Sequence, residues 1–267
     1  MQEDRQPEAN PSMEREPRRP QPPQKQPQQP RPQQEEQDPE ASGPSPATTF
    51  SRGPVDKGAF NIFEGVLGRP GSGKSEFLAR RALELGKRPG CYIIAHDTGW
   101  RLPDVMHDGV ETGIVRYETV EEARAALKSG KTGGITVVPT TDAEPVVKIA
   151  EDCAAASLEA NGGERGHPGL VLIDEIVAAR GCKANYLAPY MEQLMTMRRH
   201  KNVGVLWSVQ SCRLAHNQLI GMSTRLYIFR LTDGRDLDRL REAGVDEETL
   251  SKITSLPRFE YVEVSFE

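Results

Sequence analysis

From about residue 58 onward, short unbroken apolar runs alternate with longer stretches in which apolar residues recur every three or four positions. The run "FNIFEGVLG" predicts a strand that ends in a glycine loop. "KSEFLARRALELG" predicts a helix, with Phe77, Leu78, Ala82 and Leu85 on one face and Gly86 as its stop. "CYIIAHD" reads as a second strand, "GIVRY" as a short third, and "TVEEARAALKSG" as a capped helix ending at Gly130. "GITVVP" is another strand, and "DAEPVVKIAEDCAAASLEANGG" a long helix with a proline near its start, where proline is tolerated. "GLVLIDE" and "VGVLWSVQ" are continuous apolar strands of the kind buried on both faces. Between them, "ANYLAPYMEQLMTMRRH" predicts a helix bent at Pro189. "TRLYIFRL" and "FEYVEVSFE" complete the strands. Strands alternating with helices predict an α/β domain with a mostly parallel central sheet flanked by helices. Ligands in such sheets bind at the carboxyl ends of the strands.

The rhythm does not begin at residue 1. The first fifty residues hold 12 of the 21 prolines and 10 glutamines, as in "RRPQPPQKQPQQPRPQQEEQ". Such a stretch has too little apolar surface to offset the entropy of ordering it, so residues 1–55 are expected to be a disordered Pro/Gln-rich tail and residues 56–267 one folded domain. The first fifty residues carry a net charge of −3 and the chain −5, leaving −2 for the rest. That balance excludes a protein that coats nucleic acid with its whole surface, but not one that grips it with a few loops. No apolar stretch resembles a secretory signal or a bilayer span, so a location in a host cytoplasm or a virion is expected. Cys91, Cys153, Cys182 and Cys212 form no Cys-x-x-Cys pair, which argues against zinc and against a disulfide framework.

The glycine loop carries the first chemistry. In "GRPGSGKS", Gly68, Gly73, Lys74 and Ser75 fit G-x-x-x-x-G-K-[ST]. The loop Gly68, Arg69, Pro70, Gly71, Ser72, Gly73 can curl its amides around phosphate oxygens, with the dipole of the following helix behind them. Lys74 would reach the β- and γ-phosphates and Ser75 would ligate magnesium. The context of strand, loop and amphipathic helix makes a P-loop for ATP and Mg2+ the expectation. "LVLIDE" places Asp174 at the end of an apolar strand, where it can hold the magnesium shell, and Glu175 beside it, where it can act as general base for an attacking water. A strand-end cap and a solvated surface acid are the plainer readings of these two residues. Gln210 ends "VGVLWSVQ", together with Ser208, where a γ-phosphate or its water could be sensed. Arg198 and Arg199 end the preceding helix. Cations are favoured there by the dipole, and either could alternatively serve a neighbouring subunit as an arginine finger.

The order of these motifs, followed by "TRLYIFRL" and "DGRD", resembles the FtsK/HerA superfamily of DNA-pumping ATPases over about residues 60–267. Gln210 matches the strand-end glutamine of that family, with Val209 where threonine is usual; Arg225 matches the arginine that opens the later strand; Arg198 or Arg199 matches the finger. Without a large extra domain, membrane anchor or winged-helix reader, the sequence looks most like the genome-packaging ATPases of tailless, internal-membrane viruses and phages. The resemblance implies a P-loop NTPase of the RecA-like, additional-strand type. It also implies a homo-oligomeric ring, a hexamer, with ATP between subunits, and threading of double-stranded DNA through the pore by loops that ignore sequence, with a capsid or portal partner. A catalytic set of Lys74, Glu175, Arg198, Arg199 and Gln210 follows, with Asp174 and Ser75 at the metal.

A different class remains open: an assembly or secretion ATPase similar to the zonular-occludens-toxin-like group, which binds no duplex. A small-molecule kinase is a third reading, for which no lid or acceptor pocket is evident. Arg180, Lys183, Lys128 and Lys131 lie in turns that could meet DNA or simply be solvated. His96 and Asp97 read as a hydrogen-bonded strand end, and the remaining histidines have no metal-ligand spacing.

Overall fold

The computed structural model describes residues 60–97, 105–107, 110–112, 114–130, 134–160 and 166–266. The expected tail and its boundary at residue 55 lie outside the described residues.

In chain order the elements are β1 (Phe63–Leu67), α1 (Lys74–Leu85), β2 (Tyr92–His96), β3 (Val105–His107), β4 (Val110–Thr112), β5 (Ile114–Arg116), α2 (Val120–Lys128), β6 (Ile135–Val138) and α3 (Ala143–Ala160). There follow β7 (Gly169–Ile173), β8 (Cys182–Lys183), β9 (Tyr186–Leu187), α4 (Pro189–Lys201), β10 (Val203–Val209), a 3-10 turn (Cys212–Leu214), α5 (Asn217–Met222), β11 (Arg225–Phe229), α6 (Gly234–Glu242), α7 (Glu247–Ser255) and β12 (Tyr261–Ser265). Eight strands form one sheet in the order β12-β11-β1-β10-β7-β2-β6-β5. All neighbours pair in parallel except β11 and β12. β10 therefore stands as an additional strand between β1, which feeds the glycine loop, and β7, which ends at the acid pair.

The runs "FEGVL" and "GLVLI" are buried at every position because both faces of their strands are covered. Alternation assigns the faces. Leu170, Leu172, Leu206 and Val66 pack with Leu78, Ala79 and Ala82 of α1. Val171, Ile173, Val205, Trp207 and Phe63 pack on the opposite face with apolar residues of α3 and α4. Gly65 is required where β1 passes the Trp207 ring: a Cβ there would sit 2.4 Å from Cζ2. Glu64 on β1 and Arg81 on α1 are both nearly buried and meet through two bonds of 2.9 Å, which fixes the helix against the strand it follows.

One expected feature needs correction. The helix assigned to "ANYLAPYMEQLMTMRRH" is not bent at Pro189. That proline occupies the first turn of α4, where its missing N–H is no loss, and the residues before it form the β8–β9 hairpin. Among the described residues, no helix is long and apolar enough to cross a membrane.

Candidate active site

The loop between β1 and α1 has the backbone that its glycines predict. Gly68, Gly71 and Gly73 adopt φ of 154°, 73° and 96°, and Gly73 is the left-handed N-cap of α1. At Gly73 the left-handed φ disfavours any side chain, and the Phe259 ring, whose Cδ1 would lie 3.1 Å from an added Cβ, would have to shift. Arg69 and Pro70 are exposed at the loop's tip, and the Ser72 amide donates to the Arg69 carbonyl at 3.2 Å. Lys74 is buried, and its Nζ donates to the same Arg69 carbonyl at 3.0 Å. Burial pulls its pKa down, while the carboxylates of Glu175 and Asp174 act in the other direction.

Register brings the distant segments to this loop. Leu67 pairs with Val209, and Trp207 with Ile173, so β1, β10 and β7 end together. Asp174 follows directly on β7. Its Oδ2 accepts from the Ser75 hydroxyl at 2.8 Å, and its Oδ1 from the Ser208 hydroxyl. Ser208 also accepts the Glu175 amide at 2.9 Å. Glu175 adopts φ 49°, an unusual conformation for a non-glycine residue. Its Oε1 accepts from the Gln210 amide at 2.9 Å. Burial pushes the Glu175 carboxyl up; contacts with Gln210 and Lys74 pull it back. His96 is buried, and its Nε2 lies 3.0 Å from the Asp174 carbonyl, which can only accept, so that nitrogen carries the proton. Burial holds its pKa below the ordinary histidine value.

The arrangement fits a nucleoside triphosphate with magnesium. Two hard oxygen donors, Ser75 Oγ and Asp174 Oδ2, converge at the start of α1. The Ser72 hydroxyl is buried in the loop with no hydrogen-bond partner among the described residues, as a donor awaiting an acceptor oxygen would be.

The residues Gly68–Ser75, Asp174, Glu175 and Gln210 therefore come together. Arg198 does not join them. It is 3% exposed, its guanidinium lies 4.9 Å from the Phe63 ring, and it sits at the amino edge of the sheet, where β1 begins. The side chain of Arg199 lies outside the described residues. Arg225 opens β11 at that same edge and pairs with Glu263 at 3.5 Å. Arg180 is exposed and pairs with Asp142 at 3.2 Å, Lys183 lies in the β8–β9 hairpin, Lys128 ends α2, and Lys131 lies outside the described residues.

Ser208, expected with Gln210 to sense a γ-phosphate or its water, bonds to Asp174 and accepts the Glu175 amide. One feature of the site escapes a reading by motif. Arg258 donates from Nε to the Gly71 carbonyl at 3.2 Å, and no motif marks it.

No family model and no curated protein matches the chain. Solved structures do. The genome packaging NTPase B204 from Sulfolobus turreted icosahedral virus 2, in complex with AMPPCP, superposes with a TM-score of 0.55 at 15% identity, over 77% of this chain and 93% of that one. B204, the DNA-packaging ATPase from Sulfolobus turreted icosahedral virus, gives 0.53 at 16% identity, over 77% and 92%. The N-terminal domain of zonular occludens toxin from Neisseria meningitidis covers 77% of this chain at 13% identity, with a TM-score of 0.34, at which the likeness carries no argument. The chain thus has a P-loop NTPase fold, a mostly parallel eight-stranded sheet flanked by helices.

Proposed function

We propose that this protein is an ATP-hydrolysing motor that moves double-stranded DNA, in the service of packaging a viral genome, and that it works as a homo-oligomeric ring. The observation that carries the hydrolytic part is the continuous run of hydrogen bonds from Ser75 to Asp174, Ser208, Glu175 and Gln210, where the ends of β7 and β10 meet the start of α1. The glycine-loop amides and Lys74 would hold the phosphates, Ser75 and Asp174 the magnesium. When bound, that ion supplies charge neutralisation at the phosphate oxygens. Glu175, aimed by its bond from Gln210, takes the proton of the attacking water. An acid in this position supports water as the acceptor.

The DNA part is supported by the fold shared with B204, whose function is DNA packaging. A stretch of surface suited to a phosphate backbone adds to it. A cavity of about 310 Å³ at the tip of the β8–β9 hairpin is lined by Ala184, Asn185, Arg213, Arg235 and Arg239, together with Asp238 and Glu242, the last paired with Arg239 at 3.7 Å. For an arginine supplied in trans, the burial of Arg198 favours Arg199.

The test is ATP hydrolysis by purified protein with and without linear duplex DNA, with Lys74→Ala as the blank. Strong stimulation by duplex of any sequence supports the motor. Hydrolysis indifferent to DNA overturns the DNA assignment and favours an assembly or export ATPase on the same P-loop.

A further inference from the structure

The phosphate site has a direction. Asp174, Glu175 and Gln210 all stand over β7 and β10, on one side of β1, and so mark the end at which the terminal phosphate reacts. On the other side of β1 lie β11 and β12. There, against Gly73 at the start of α1, opens a cavity of about 450 Å³ lined by Phe77, Phe229, Phe259 and Tyr261, with Glu76 and Arg80 at its rim. A nucleotide whose last phosphate faces the acids leaves the loop on this side.

We propose that this cleft holds the base of the nucleotide, stacked on Phe259; the assignment rests on the nucleotide reading of the P-loop above. Three observations carry it. The first is exposure: Phe259 is 60% and Tyr261 43% exposed, although their neighbours Phe229 and Phe77 are packed at 5.5 and 4.7 Å from the Tyr261 ring. A ring network that leaves two rings partly exposed beside a phosphate loop suits a flat aromatic ligand, and Arg258 occupies only one side of the Phe259 ring. The second is backbone: Phe259 holds φ 70°, an outlying conformation for a bulky residue, so its ring is placed by its surroundings and not by preference. The third is attachment: Arg258 lies 4.6 Å from the Phe259 ring and donates to the Gly71 carbonyl at 3.2 Å, which ties the stacking ring to the loop that takes the phosphates. The cavity volume is within the range of ligand pockets, about 300–1,000 Å³.

The experiment is calorimetric titration of the full chain with magnesium AMPPCP and with magnesium tripolyphosphate, which lacks sugar and base. Phe259→Asn removes the ring with a residue that tolerates a left-handed φ, and Phe259→Trp keeps a stacking face. The expected result is that Phe259→Asn weakens AMPPCP about tenfold or more, leaves tripolyphosphate unchanged, and is rescued by Phe259→Trp. AMPPCP affinity unchanged in Phe259→Asn overturns the base assignment while the P-loop reading stands. Equal loss for both ligands also overturns it, because the ring would then be supporting the loop. An altered oligomeric state with unaltered AMPPCP binding assigns the aromatic face to a second copy of the chain instead. Binding of neither ligand by the wild type overturns the nucleotide reading itself.

Discussion

Ser208 donates its hydroxyl hydrogen to Oδ1 of Asp174, 34 residues away in sequence, while the same oxygen accepts the amide of Glu175. One small side chain on β10 thus sets the orientation of both acids. Ser208→Ala should lower turnover by about 10–100-fold, the range for losing a group that orients a metal ligand, and should raise the magnesium concentration needed for half-maximal rate. Steady-state hydrolysis across a magnesium titration checks this. An unchanged magnesium dependence would mean that Asp174 holds its position unaided.

Glu175→Gln should bind ATP and fail to hydrolyse it. Stability should move the other way from activity. Burial raises the Glu175 pKa, so the folded protein keeps that proton to higher pH than the unfolded chain. The ionised carboxylate is then a liability at neutral pH. Melting temperature should therefore rise in Glu175→Gln at pH 7, and the gain should vanish below the unfolded pKa of about 4.3. The acid limb of the wild-type rate profile should lie above that value. A lower melting temperature at pH 7 would contradict this account.

Lys74→Ala should reduce turnover about 100-fold or more, as loss of a fixed cation at developing negative charge does elsewhere. Nucleotide affinity, followed by calorimetry, should fall with it. Normal affinity with lost turnover would restrict Lys74 to the reaction step.

Arg81→Met leaves Glu64 buried without its bidentate partner and should cost about 3 kcal/mol or more in urea unfolding. Replacing both, with Glu64→Met in the same chain, should recover most of that loss. If the double variant is no better than the single, the pair is not the source of the effect.

Arg198→Ala and Arg199→Ala should differ in kind. The first empties a core position against Phe63 and should lower the melting temperature. The second should leave stability alone and lose turnover. Mixed with Lys74→Ala protein, the Arg199→Ala protein should regain part of its activity at shared interfaces. No recovery at any ratio, with exchange of subunits verified, would remove Arg199 from the site.

The strands, the P-loop and the acid pair were legible because each is local. An apolar run such as "GLVLI" is a buried strand wherever it sits, and a glycine pattern between strand and helix dictates its own φ values. The choice between Arg198 and Arg199 was not legible for a related reason: the end of a helix attracts a cation whether it points to solvent or, as Arg198 does, over a core ring. The aromatic cleft was invisible because it is assembled from Phe77, Phe229 and the turn at Phe259, which only the pairing of β11 with β12 brings together. Helices α6 and α7 also went unread; their short turns are dominated by charged residues, and only Leu240, Leu250 and Ile253 are apolar and deeply buried.

The bond from Lys74 to the Arg69 carbonyl has a bearing on which anions the loop accepts. The ammonium already has an internal acceptor, and a hydrogen bond from a charged group contributes about 1.5–3 kcal/mol. An incoming anion must outcompete that acceptor as well as shed its own water. A polyphosphate does so with many oxygens at once, whereas a lone small anion offers little more than the carbonyl it displaces. The loop's self-bonding therefore works as a threshold, admitting ligands by the number of oxygens they present and not by charge alone.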